Sequence, residues 1–146
     1  MEMRNPTFLL RAACKNETKT IEMLVKQGAN VDLDEEARGE TALYWAARAG
    51  NYEAVQILIE AGANVDKGDD AGWTPLFIAT YYGYNQIVEL LLQQGANSNH
   101  QDLGGETALV VAATQNLTTT AGIIKEHGGS CLDITPVNNH LCQTNH

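Results

Sequence analysis

The sequence predicts an all-α solenoid of four stacked helix-turn-helix units joined by β-hairpin loops. Two recurring phrases and their shared spacing carry that prediction. Gly28-Ala29-Asn30-Val31-Asp32, Gly62-Ala63-Asn64-Val65-Asp66, Gly95-Ala96-Asn97-Ser98-Asn99 and the weaker Gly128-Gly129-Ser130-Cys131 begin at residues 28, 62, 95 and 128, steps of 34, 33 and 33. Thr7-Phe8-Leu9-Leu10-Arg11-Ala12-Ala13, Thr41-Ala42-Leu43-Tyr44-Trp45-Ala46-Ala47, Thr74-Pro75-Leu76-Phe77-Ile78-Ala79-Thr80 and Thr107-Ala108-Leu109-Val110-Val111-Ala112-Ala113 keep the same steps. Self-similarity at this period marks an array in which each unit buries its apolar face against its neighbours.

Each unit opens with a short helix. Thr41, Thr74 and Thr107 stand where a hydroxyl caps an orphan amide, and Pro75 takes the first helical position, where its missing N–H costs nothing. Asn16, Gly50, Gly83 and Asn116 follow nine residues after each Thr. They tolerate the left-handed backbone that reverses the chain between two helices. The second helix carries apolar residues at helical spacing, Ala54, Val55, Ile57, Leu58 and Ile59 in one unit and Ile87, Val88, Leu90, Leu91 and Leu92 in the next. It stops at Gly62 or Gly95, the usual left-handed cap. The polar stretch Val65-Asp66-Lys67-Gly68-Asp69-Asp70-Ala71-Gly72 reads as an extended hairpin leading to the next Thr. A single domain over residues 1–146 is expected, with units at about 5–33, 34–66, 67–99 and 100–132 and a tail at 133–146.

These residues resemble the ankyrin repeat, with its Thr-Pro-Leu-His start, glycine turn and Gly-Ala-Asx-Val-Asx exit. The resemblance runs from roughly Asn5 to Leu132. Its motifs specify a fold and are nearly silent on function. Leu10, Tyr44, Phe77 and Val110 replace the family's His, so its bond to the Thr hydroxyl cannot form and apolar packing must substitute. The fourth unit has Thr120, Ala121, Gly122 and Lys125 where the third has Ile87, Val88, Glu89 and Leu92, which makes its second helix the weakest expected. The first hairpin is one residue longer than the second.

The ends of a solenoid need polar faces. Arg4, Lys15, Glu17, Lys19, Glu22 and Lys26 supply one at the start. Ile134-Thr135-Pro136-Val137 echoes a further unit but falls short of the period, so Thr135 to His146 reads as an irregular cap, a longer parent chain being the alternative.

Composition narrows the class. A charged fraction of 18% with 44% hydrophobic residues argues against disorder. There is no long apolar run and no basic-then-apolar leader, so a soluble intracellular protein, cytoplasmic or nuclear, is expected. Cys14, Cys131 and Cys142 are odd in number and irregular in spacing, as befits reduced thiols. Asn16-Glu17-Thr18 and Asn116-Leu117-Thr118 match the glycosylation sequon but fall at predicted inter-helix turns. Neither a phosphate loop nor a nucleophile motif occurs, and His100, His127, His140 and His146 are scattered. His127 is explained by a helix C-terminus. His140, Cys142 and His146 lack the paired spacing of a zinc site. No enzyme activity, metal or cofactor is expected.

The net charge of −9 is concentrated. The stretches 31–40, 65–73 and 98–106 hold ten of the eighteen acids, Asp32, Asp34, Glu35, Glu36, Glu40, Asp66, Asp69, Asp70, Asp102 and Glu106, against only Arg38 and Lys67. Such a strip repels a phosphate backbone and steers a basic partner, unless it serves solubility alone.

The resemblance implies that partners lie along a concave face of hairpin tips and first helices. Matching positions are Ala37, Arg38, Glu40, Arg48 and Ala49, then Asp70, Ala71, Trp73, Tyr81 and Tyr82, then Leu103, Gly104, Glu106, Thr114 and Gln115. Trp73, Tyr81 and Tyr82 form the expected centre, which Trp45 and Arg48 extend, because Trp, Tyr and Arg dominate binding hot spots. Asp69 and Asp102 complete the candidate set. Trp45 has inter-repeat packing as its alternative, and Tyr44 and Phe77 are assigned to the core. A second functional class is a histone-tail reader, in which the two tryptophans and two tyrosines beside Asp69, Asp70 and Glu40 cage a methyl-lysine. Asn99 occupies a position similar to one hydroxylated in many ankyrin repeats, with a plain turn residue as the alternative. The expected molecule is a monomeric, non-catalytic module that binds a basic or amphipathic protein segment and neither nucleic acid nor membrane.

Overall fold

A computed structural model of the chain describes residues 6–34 and 38–130. It contains eight helices in the order α1 (Pro6–Cys14), α2 (Thr18–Lys26), α3 (Ala42–Ala49), α4 (Tyr52–Glu60), α5 (Pro75–Tyr81), α6 (Asn85–Gln93), α7 (Ala108–Thr114) and α8 (Thr118–Glu126). The first helices of successive units pack on one another, α1 on α3, α3 on α5 and α5 on α7. The second helices do the same from α2 through α8, so the units stack as two helical layers. Arg4, Glu35, Glu36, Ala37, Cys131, Cys142, His140, His146 and the expected cap from Thr135 to His146 lie outside the described residues.

The Thr caps explain where the first helices start. Thr41, Thr74 and Thr107 Oγ1 accept from the N–H of Tyr44, Phe77 and Val110 at 3.3, 3.4 and 3.4 Å. Each such cap stabilises by about 1 kcal/mol. The first helices end in left-handed turns, with Asn16 at φ 55° and Asn116 at φ 58°. Both sequon asparagines are therefore turn residues, and Asn16 Oδ1 also accepts from the Ala54 N–H of the next unit at 3.2 Å.

Between the layers runs one continuous core that includes Leu9, Leu43, Val55, Leu58, Leu76, Val88, Leu91, Leu109 and Ile124. Ala13, Ala46, Ala47, Ala79 and Ala112 are fully buried, and their small side chains let the helices approach closely. Leu10, Tyr44, Phe77 and Val110, which replace the family's His, are all buried as the sequence predicts. The Thr107 hydroxyl, lacking that His, donates to the Ser130 carbonyl at 2.7 Å. In α8, Thr120, Ala121 and Ile124 are buried while Gly122 is exposed.

The linkers are compact turns, and no strand occurs among the described residues. Two backbone bonds close each of the last two loops, from Asp69 N to Trp73 O and from Gly72 N to Asp69 O in one, and from Asp102 N to Glu106 O and from Gly105 N to Asp102 O in the other, all 2.9 Å. An aspartate does the rest: Asp69 Oδ1 accepts from Ala71 and Trp73, and Asp102 Oδ1 accepts from Gly104 and Glu106. Donors that a ladder would satisfy are met by one side chain, which removes the need for strands.

The repeated Gly-Ala-Asn-x-Asx phrase works in two steps. Asn30, Asn64 and Asn97 Oδ1 accept from the N–H two residues on, each at 3.0 Å. That turn presents Asp32, Asp66 and Asn99 to the following unit, where their Oδ1 atoms accept from Asn64, Asn97 and Ser130 N–H at 2.8, 2.8 and 2.9 Å. A hydrogen-bonded rung thus joins every pair of neighbours.

Candidate partner-binding surface

Trp73 is held at both ends. Its backbone N–H donates to Asp69 Oδ1 at 2.9 Å and its indole Nε1–H to Asp102 Oδ2 at 3.1 Å. The half-buried ring lies 5.9 Å from Phe77 and 5.6 Å from Tyr81, centroid to centroid. Tyr81 meets Tyr82 edge-on at 5.1 Å, and Tyr82 stacks on Tyr84 at 5.7 Å. Helix α5 ends at this point, so Tyr81 and Tyr82 stand 42% and 46% exposed on a rigid element. Tyr84 covers Gly50, where an added Cβ would come within 2.9 Å of its Cζ.

Trp45 and Arg48 make a separate pair one unit earlier. The Arg48 guanidinium sits 5.1 Å from the Trp45 ring, which meets Tyr44 edge-on at 6.0 Å and rests half-buried against the core. Trp45 is therefore both packing and surface. Arg38 and Asp70 are exposed, Glu40 is half-buried, and Leu103 is 82% exposed with its N–H donating to Ala71 O.

The acids divide by role. Asp69 and Asp102 direct both carboxylate oxygens inward, Asp69 Oδ2 accepting from the Tyr44 hydroxyl at 2.9 Å and Asp102 Oδ2 from Trp73. Lys67 donates to the Asp32 carbonyl and lies 3.4 Å from Asp34. Glu106 lines a cavity of about 80 Å³ with Trp73, Tyr81, Val111, Thr114 and Gln115.

A family model described as ankyrin repeats (3 copies) matches residues 2–69 and again 64–135. The chain belongs to the ankyrin-repeat family. No curated protein matches it. Ankyrin repeats are generally protein–protein interaction modules without catalytic activity.

Local electrostatics in this ankyrin array follow from its loops. The Gly39 N–H, and next to it Lys67, hold the Asp34 carboxyl below the ordinary carboxylate range. Burial, then the bond to Asp69, pushes the Tyr44 phenol well above its usual value. Burial likewise raises the Cys14 thiol by more than Arg48 lowers it, so it stays protonated at neutral pH. Among the described residues no three His, Cys, Asp or Glu side chains gather to hold a metal, and no helix is long and apolar enough to cross a membrane. His127 Nδ1 lies 2.9 Å from the Ile123 carbonyl at the end of α8. Asn99 is exposed, with Oδ1 accepting from Ser130 and Nδ2 donating to Gly128 O at 3.0 Å.

Two residues of this region, half-buried Tyr84 and buried Val111, are not predicted as part of it from the sequence. Tyr84 extends the ring series, and the run Tyr81-Tyr82-Gly83-Tyr84 was its visible signal. Val111 lines the cavity, but within the apolar run of α7 nothing distinguishes it from core.

Proposed function

We propose that this ankyrin array is a non-catalytic protein-binding module that takes a basic or amphipathic segment of its partner on the concave face, centred on Trp73, Tyr81 and Tyr82. The observation that carries the reading is the pair of adjacent tyrosines, each more than two-fifths exposed, at the end of an otherwise buried helix. Large aromatic side chains left in water on a rigid support are the usual anchors of an interface. Trp45 with Arg48, Arg38, Glu40, Asp70, Leu103 and Glu106 flank them, while Asp69 and Asp102 contribute by fixing Trp73 and its loops. The acidic strip steers a basic partner and disfavours nucleic acid and anionic membranes. The module acts as a monomer in the cytoplasm or nucleus, with no cofactor.

Affinity capture from source lysate tests this, comparing the wild-type chain with Tyr81→Ala/Tyr82→Ala. Both rings are exposed, so helical content by circular dichroism stays the same. Capture should be lost, and retained capture overturns the reading.

A further inference from the structure

We propose that the cavity between Trp73, Tyr81 and Glu106 receives the side chain of one arginine of the partner. This rests on the surface reading above and deepens it by naming the anchoring group. The cavity's volume of about 80 Å³ is a few times the roughly 30 Å³ that one water takes in the liquid, room for a compact head group of a few heavy atoms. An arginine head from Cδ onward has five such atoms, whereas an indole with nine is too large. A phenyl ring fits by size, but it offers the Glu106 carboxylate no hydrogen-bond donor.

Charge therefore selects a cation, and shape selects arginine over lysine. A guanidinium is planar, weakly hydrated and rich in donors, so one group stacks on aromatic faces while bonding a carboxylate. This chain already contains such a stack, with Arg48 over Trp45. Glu106 is tied into its loop through its backbone, its N–H donating to Asp102 Oδ1 and its carbonyl accepting from Asp102 N. Its carboxylate is not needed to hold the loop. Trp73 is fixed by Asp69 and Asp102, and Tyr81 and Val111 stand on α5 and α7, so little ordering remains to be done on binding.

The test uses the full chain and the pentapeptide acetyl-Gly-Ala-Arg-Ala-Gly-amide, with copies carrying citrulline, lysine or trimethyl-lysine at the centre. The readout is the Trp73 indole N–H resonance, assigned with Trp45→Phe. The arginine peptide should saturate with a dissociation constant on the order of millimolar, and neutral citrulline should bind about tenfold more weakly. Glu106→Gln should weaken the arginine peptide about fivefold or more without moving distant resonances, and Tyr81→Ala should abolish its binding.

Equal affinity for arginine and citrulline, no response to Glu106→Gln, or no saturable shift overturns the proposal. Tightest binding of trimethyl-lysine overturns it as well, and assigns the cavity to a methylated lysine. The broader reading is judged by capture with the double tyrosine variant. If that variant loses its partner while Glu106→Gln keeps it, the arginine pocket alone fails; if the tyrosine variant keeps its partner, the surface reading fails first.

Discussion

The Tyr44 hydroxyl donates to Asp69 Oδ2 at 2.9 Å across the boundary between the second and third units. One boundary further on, the equivalent carboxylate, Asp102, accepts instead from the Trp73 indole at 3.1 Å. Matching acceptors thus take donors from unmatched positions, one on a first helix and one in a loop. Replacing the family's His by Tyr44 and Phe77 removes one bond inside the unit, and these two contacts restore polar links between units.

Tyr44→Phe should lower the unfolding free energy by about 1–2 kcal/mol, since it leaves one Asp69 oxygen without its donor. The sign of the pH effect follows from the raised phenol. Its stabilising contribution is complete below the unfolded value near 10 and declines as pH rises beyond it. Urea denaturation from pH 8 to 11 should therefore show a steeper alkaline decline in the wild type than in Tyr44→Phe. Parallel curves would refute the link.

Thr80→Val should stabilise the protein by about 1–2 kcal/mol. The Thr80 hydroxyl is buried without a hydrogen-bond partner, at a position where the first, second and fourth units carry alanine. Valine keeps the volume and removes the unmet polar atom. A thermal midpoint equal to or below that of the wild type contradicts this.

Asp34→Asn should flatten the acid limb of the stability curve. The Asp34 carboxyl is held low by the Gly39 N–H and Lys67, so its contribution is complete above its unfolded value near 3.9 and is lost as pH falls below it. Equilibrium denaturation between pH 6 and 2 checks the difference between the two proteins. An unchanged acid limb in the variant removes Asp34 from the account.

The repeat was almost fully legible because it rests on short-range chemistry stated four times. Thr caps, Asn and Gly turns, and apolar spacing each act within a few residues, so their structural meaning follows directly from the sequence. Turn formers such as Asp69 and Gly72 mark the loops in the sequence, but they occur at the ends of strands and in aspartate-closed turns alike. What separates these is where one carboxylate points. For the same reason Asp69 and Asp102 looked like part of an acidic strip until their partners Tyr44 and Trp73, 25 and 29 residues away, were placed. The ring series was visible as Trp73, Tyr81 and Tyr82, but its meeting with Glu106 depends on the stacking of α5 against α7, which no local pattern encodes.

Trp73→Phe should cost about 1–2 kcal/mol, since the Asp102 carboxylate loses one donor, and should loosen the 69–73 and 102–106 loops together. Amide hydrogen exchange in both loops measures this. Faster exchange confined to one loop would separate the two.

Association through the tyrosine face should weaken as salt rises, mainly in the on-rate, because the acidic loops act at a distance while Tyr81 and Tyr82 act on contact. Stopped-flow binding at 50 and 300 mM salt separates the effects. Tyr81→Ala/Tyr82→Ala should raise the off-rate with little change in that salt slope, and a change confined to the on-rate would argue against contact by these rings.

The rungs at Asp32, Asp66 and Asn99 each take a backbone N–H of the later unit onto a side-chain oxygen of the earlier one. Every module thus has a giving edge and a receiving edge, like a coupling on a train. A tandem duplicate of residues 67–99 placed after the original would find a mate on each side, so the array can be lengthened, and its reach tuned, without inventing a new joint.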